Sequence, residues 1–127
     1  MMPKNWTDKF FSTADDALRT LFVAPHAVRA CPTISNETTQ LSDTEKAQAG
    51  ALMRVNHVGE ICAQALYTAQ ALATQNNELA ARFERASLEE TDHLAWTRQR
   101  LDELGARPSL LNPLWYGAAF GLSLIHI

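Results

Sequence analysis

Glu90 and His93 form a Glu-x-x-His pair, and in this sequence they are the residues best placed to do chemistry. On a helix, residues three apart stack on one face, so a carboxylate oxygen and an imidazole nitrogen would point at the same spot. At 100° per residue, Leu79, Phe83, Ala86, Glu90, His93, Thr97, Leu101 and Leu104 lie within about 40° of one line. The apolar members of that line should face the core, which turns Glu90 and His93 inward and leaves Glu89 and Asp92 on the flanks, within reach of water. A buried ionised carboxylate costs several kcal/mol unless it is paired or bound to a metal. Three explanations satisfy that cost: an internal Glu–His hydrogen bond, a stripe that bends away from the core, or a metal site.

An earlier stretch of sequence carries a second carboxylate in a similar setting. On the face of Glu60 lie Ala49, Met53, Asn56, Tyr67 and Ala71, with Ala63 and Gln64 just beside it. Glu60 is therefore either a core-edge glutamate paired with Arg54 or a similar cation, or a further ligand. One inward Glu on one helix and an inward Glu-x-x-His on the next is half of the pattern used by di-iron carboxylate bundles. Carboxylate oxygen and imidazole nitrogen suit iron or manganese, and zinc is compatible with the same donors. His57 stands one turn before Glu60, either as a group hydrogen-bonded to a ligand or as an ordinary core-edge or surface histidine. Cys62 points about 160° from Glu60 and is expected to be a small buried hydrophobe. Cys31, His26 and His126 show no evident role.

These residues need helices to hold them. Residues 5–22 place Trp6, Phe10, Ala14, Leu18, Leu21 and Phe22 at three-to-four spacing, which predicts a short amphipathic helix. Residues 25–40 carry Pro25, Pro32 and several Ser, Thr and Asn, and read as an irregular linker. Ser42 with Glu45 forms a capping box, and a proline-free run rich in Ala, Leu, Met, Gln and Glu follows, predicting a helix from Thr44 to about Gln75, roughly 45 Å long. Gly59 weakens it by about 1 kcal/mol against Ala, a cost explained if a neighbour packs close there. Gln75, Asn76 and Asn77 make a turn, with Asn77 as N-cap of a second helix from about Glu78 to Leu104, ended by Gly105. So short a connection implies an antiparallel pair. Asn112 and Pro113 read as the N-cap and first position of a third helix, uncharged from Leu114 to Phe120. The fold class is all-α, with one domain or part of one in 127 residues.

Composition narrows the function. Eleven basic against fourteen acidic residues give a formal net charge of -3, which argues against nucleic acid as a partner. Two widely spaced cysteines point to a reducing compartment. The N-terminal residues mix charges with aromatics and lack an apolar run, so no secretory signal is expected. No stretch reaches the roughly 18 apolar residues of a spanning helix.

Three segments together resemble the demethoxyubiquinone hydroxylase family. Residues 52–60, Leu-Met-Arg-Val-Asn-His-Val-Gly-Glu, followed by Ala63-Gln64-Ala65-Leu66-Tyr67, look like that family's first metal-binding helix. Residues 89–96, Glu-Glu-Thr-Asp-His-Leu-Ala-Trp, look like its second, and residues 110–117, Leu-Leu-Asn-Pro-Leu-Trp-Tyr-Gly, like the entry to its third, membrane-facing helix. The likeness runs in order from about residue 8 to residue 121. It implies a ferritin-like four-helix bundle binding two iron ions, of which this chain holds about the first two bundle helices and the start of a third. By resemblance Glu60 is a terminal iron ligand, Glu90 a bridging carboxylate and His93 an imidazole ligand. The implied activity is hydroxylation of the ring of demethoxyubiquinol with O2, a late step of ubiquinone biosynthesis. The implied location is peripheral, on the cytoplasmic face of the bacterial inner membrane. The uncharged third helix suits either a lipid-soluble substrate or a strip of buried core.

The family places a third carboxylate and a second Glu-x-x-His beyond the last residue here, so three of six expected ligands are present, and this chain alone, as a monomer, is not expected to complete a di-iron site. The expected divisions are residues 1–41 for the N-terminal helix and linker, 42–121 for half of the di-iron domain, and 122–127 for a non-native tail. One back-translation of that tail, Leu-Ser-Leu-Ile-His-Ile, is identical to a common sequencing adapter. An alternative is an iron-binding ferritin-like protein that completes its site as a homo-oligomer, two copies supplying two half-sites across a two-fold axis. A third is a structural helical hairpin without metal.

Overall fold

The computed structural model describes residues 5–33 and 40–126. Among these residues all regular structure is helical: α1 (Trp6–Phe22), α2 (Asp43–Ala73), α3 (Asn77–Glu103) and α4 (Asn112–Ile125). The all-α expectation holds. α2 is the spine, packing along α3 on one side and α4 on another, while α1 crosses α2 and touches α4.

The ends of the helices follow local chemistry. Asn5 accepts from the Asp8 amide at the start of α1. In the capping box of α2 the Ser42 hydroxyl accepts from the Glu45 amide while the Glu45 carboxylate accepts from the Ser42 amide. α2 stops at Ala73 rather than Gln75, because Thr74 turns extended (φ -69°, ψ 139°) and its hydroxyl accepts from the Asn76 amide at 3.2 Å. The cap of α3 is Asn76, not Asn77. Its side-chain oxygen takes the Leu79 amide at 3.0 Å, which starts the helix one residue earlier than expected. At the other end Gly105 adopts φ 67°, and the Ala106 amide reaches back to the Leu101 carbonyl at 2.9 Å, closing a left-handed C-terminal motif. Asn112 is the first residue of α4 rather than its cap. Leu111 occupies that place without a side-chain cap, its amide held instead by the Ser109 hydroxyl at 3.1 Å.

Ile61 and Ala65 of α2, Leu94 of α3 and Tyr116 of α4 form the central cluster, with Ala17 and Leu21 of α1 against it. Leu101 is fully buried about two helical turns further along α3. The close approach of backbones falls at Gly50, not at Gly59. A Cβ on Gly50 would lie 2.8 Å from the Ala106 side chain, whereas a Cβ on Gly59 would meet nothing within 4 Å. Residues 122–125 continue α4 without a break, and the Ser123 hydroxyl, buried, takes the Gln70 amide at 2.8 Å and faces the Leu66 carbonyl at 3.3 Å. Residue 127 lies outside the described residues.

Candidate metal centre

The antiparallel run of α2 against α3 brings Glu60 beside the Glu90/His93 pair. One ligand atom from each of the three residues lies within 4.8 Å of the others. The Nδ1 atom of His93 faces both carboxylates, 3.2 Å from Oε2 of Glu90 and 3.6 Å from Oε2 of Glu60. A cation held at roughly 2.0–2.2 Å from each donor places neighbouring donors about 3–4 Å apart, so these separations are those of a coordination shell. The side chains of Glu90 and Glu60 are 14% and 22% accessible and that of His93 is 38%, which sets the cluster at the rim of the α2–α3 interface, open on one side.

The electrostatics agree with the geometry. Burial, together with the neighbouring Glu90 carboxylate, pushes the Glu60 carboxyl up to about 7, with His93 pulling the other way. Two carboxylates facing one imidazole at the edge of a core thus place negative charge together, which a divalent cation would offset. Arg54 does not fill that role. Its guanidinium donates to the Arg107 carbonyl at 2.8 Å, tying α2 to the loop after α3, so the Arg54 pairing considered for Glu60 is not formed.

Asp92 departs from expectation. Its helical position predicts a flank within reach of water, yet it is 4% exposed. One of its oxygens accepts from the Val28 amide and the other from the Arg29 guanidinium, both at 2.7 Å. The Arg29 hydrogen bond and the Val28 amide hold this carboxyl below its ordinary range. Of the stretch read as an irregular linker, residues 34–39 lie outside the described residues; the described residues 25–33 are not helical, but Val28 and Arg29 are fastened onto α3 by a buried anion. No local pattern in residues 89–97 announces this, because the partner lies about sixty residues away in the chain.

His57 is buried, and its hydrogen bond goes to Thr97 and not to the cluster. Its Nδ1 lies 2.9 Å from the Thr97 hydroxyl, which in turn donates to the His93 carbonyl at 2.9 Å. A hydroxyl has one proton, so with it given to the carbonyl, the Thr97 oxygen accepts from His57 Nδ1–H. Burial, and then Arg98, lower the pKa of this imidazole and keep it neutral. Its link to the cluster runs through the main chain of His93. Cys62 is half-buried rather than buried, with Sγ 3.9 Å from the Trp115 carbonyl on the α4 side, well away from the carboxylates in direction, and burial raises its thiol pKa.

An all-α framework in which adjacent antiparallel helices present two carboxylates and a histidine offers a donor set of the class that can hold a metal ion. The family model described as ubiquinone biosynthesis protein COQ7 matches residues 47–126, and the chain belongs to that family. It is 73% identical over 124 residues to the 3-demethoxyubiquinol 3-hydroxylase of Albidiferax ferrireducens, a match covering 98% of this chain and 59% of the relative. The proteins of the same name from Variovorax paradoxus and Delftia acidovorans are 64% and 52% identical over 118 residues, with 93% of this chain and 56% and 58% of the relatives covered. The chain therefore spans somewhat over half the length of these relatives. No solved structure matches it.

Proposed function

We propose that this chain is the N-terminal portion of a 3-demethoxyubiquinol 3-hydroxylase, a monooxygenase of ubiquinone biosynthesis, and that Glu60, Glu90 and His93 are its share of a di-iron site. The observation that carries this reading is the convergence of those three side chains within 4.8 Å on two helices. Family membership and the names of the relatives support it. The residues fit a hard or borderline dication, since oxygen and imidazole donors lie at coordination spacing and the local charge is short of a cation. Bound iron would relay to O2, the co-substrate, two electrons drawn from an external reductant and would supply Lewis acidity for its activation. The chain's own part is to hold the donors. Glu60 and Glu90 face one another from α2 and α3 and must both be ionised to ligate, so loading releases the proton that Glu60 otherwise keeps up to about pH 7.

The substrate under this reading is demethoxyubiquinol, and its lipid tail calls for a membrane surface. Leu114, Trp115, Leu122 and Ile125 of α4 and Trp6, Phe11 and Phe22 of α1 are all more than 40% exposed. Such apolar area on two neighbouring helices supports peripheral seating on the cytoplasmic face of the inner membrane. Among the described residues no helix is long and apolar enough to cross a membrane.

The test is genetic and chemical. In a bacterial strain lacking its demethoxyubiquinol hydroxylase, the uninterrupted reading frame read from the native locus should restore ubiquinone, and E60Q, E90Q or H93Q in that frame should leave demethoxyubiquinone accumulating. Restoration by all three variants would refute the assignment of the ligands. The same read across the codon for Gly121 tests whether residues 122–127 are native.

A further inference from the structure

One knot of contacts next to the cluster is not accounted for by ligation. The Trp96 ring lies against the His93 imidazole, with centroids 5.4 Å apart and planes tilted by 44°. The indole N–H donates to the Arg29 carbonyl at 3.2 Å. The Arg29 guanidinium carbon lies 5.6 Å from the centre of the same indole, while its Nε bonds the buried Asp92 at 2.7 Å. Asp92 also takes the Val28 amide at 2.7 Å. Thus a non-helical segment crosses α3, is fixed to it by a carboxylate from below, and grips the indole both in its plane, through the N–H, and over its face.

Each contact has a separate physical effect. Asp92 is buried with both oxygens engaged, so the position of the segment is well determined. The N–H bond fixes the rotation of the indole about its axis, and the cation over its face fixes its tilt. The His93 imidazole is 38% accessible, and its Nδ1 faces the two carboxylates. The indole lies against the ring and limits the rotations open to it.

We propose that the segment containing Val28 and Arg29 is a strap that holds Trp96 as a brace against the His93 imidazole, which makes Arg29 and Trp96 positioning residues for a metal ligand. The inference rests on the metal reading above, and it adds that the N-terminal segment is coupled to ligand orientation. Groups that orient a ligating imidazole usually change metal affinity by 10–100-fold when removed. The loss expected here is about tenfold, at the lower end, because the brace acts by packing and not by a hydrogen bond to the ring.

Two readouts on the full chain test it: the proton shifts of the His93 ring in metal-free protein, and Co(II) affinity followed by visible absorption. R29A and W96L should move the His93 ring resonances, because the neighbouring indole is displaced or gone, and weaken Co(II) binding by about tenfold. W96F keeps an aromatic face and should hold affinity within about threefold of the native chain, a rescue that W96L does not give. S42A, weakened at the cap of α2, should change neither readout. If R29A does not fold, R29K decides. It keeps the pairing with Asp92 but has no planar cation for the indole, so it should still disturb the His93 resonances. Folded R29A, or R29K in its place, and folded W96L with native His93 shifts and native cobalt affinity would overturn the proposal, as would W96F as weak as W96L. A native chain that binds no Co(II) would instead remove the metal reading and the role in ligation with it, leaving the His93 shifts to judge the brace alone.

Discussion

Replacing Glu60 by glutamine should make the metal-free protein more stable at alkaline pH, although it removes a ligand. In the folded chain the Glu60 carboxyl is pushed from 4.5 to about 7 by burial and by Glu90. The folded state therefore binds this proton more tightly than the unfolded state. The stability it contributes is complete below pH 4.5 and is lost as pH rises through that window to about 7. At about 1.4 kcal/mol per tenfold in proton affinity the ceiling is roughly 3 kcal/mol, and solvent screening of a partly exposed pair reduces it to about 1–2 kcal/mol. Urea unfolding at pH 5 through 8, with a chelator present, measures it. His57 acts with the opposite sign. Its pKa is lowered by burial, so its contribution is gained as pH rises, and it is present in both proteins. The quantity to follow is consequently the difference between E60Q and the native chain, which should grow by about 1–2 kcal/mol in favour of E60Q from pH 5 to 8. Adding a divalent metal at pH 8 should reverse the order, since only the native chain gains binding energy. A difference that stays flat with pH would refute the charge accounting at this site.

Other expectations follow from packing. Gly59→Ala should stabilise the chain by up to about 1 kcal/mol in thermal or urea unfolding, because a Cβ there meets open space inside a helix. Gly50→Ala should instead destabilise by about 1–3 kcal/mol, because the new methyl group would press on Ala106. Leu101→Ala, at a position with no exposure, should cost about 2–5 kcal/mol and lower the urea midpoint with the slope unchanged. Leu114→Ser with Trp115→Ser should reduce co-flotation with anionic vesicles severalfold while leaving Co(II) binding intact. Equal flotation of both proteins would count against α4 as the membrane-facing element.

The convergence of Glu60, Glu90 and His93 is legible in the sequence because its requirements are local. Glu-x-x-His puts two donors on one turn, and the face of Glu60 is defined by its own helix, so only the antiparallel pairing had to be added, and the short turn at residues 74–76 supplies that. The capping box and Gly105 were legible for the same reason. What the sequence hid depends on partners far away in the chain. Asp92 looks like a solvated flank until residues 28 and 29 are laid over it. His57 looks ambiguous until α3 brings Thr97 to it. The need for a glycine in α2 was expected at Gly59, at mid-helix, whereas it arises at Gly50 where the loop carrying Ala106 passes. The caps of α3 and α4 each fall one residue before the expected one, because Asn76 turns extended and takes the Leu79 amide, while Leu111 (φ -92°, ψ 10°) occupies the cap position of α4 without a side-chain bond.

The turn between α2 and α3 also has a consequence for the order of assembly. All three donors fall between residues 60 and 93, on two helices joined by residues 74–76, so their contacts span little chain. Contacts of short sequence separation close fastest, and a helical hairpin is among the quickest units to form. A ribosome adding about 5–20 residues per second takes seconds to extend the chain beyond Gly105. Within that interval the hairpin has time to bring Glu60, Glu90 and His93 together. The nascent chain then presents a clustered pair of carboxylates before any later helix is made, and the strap at Val28 and Arg29, synthesised earlier still, is already available to close over Trp96.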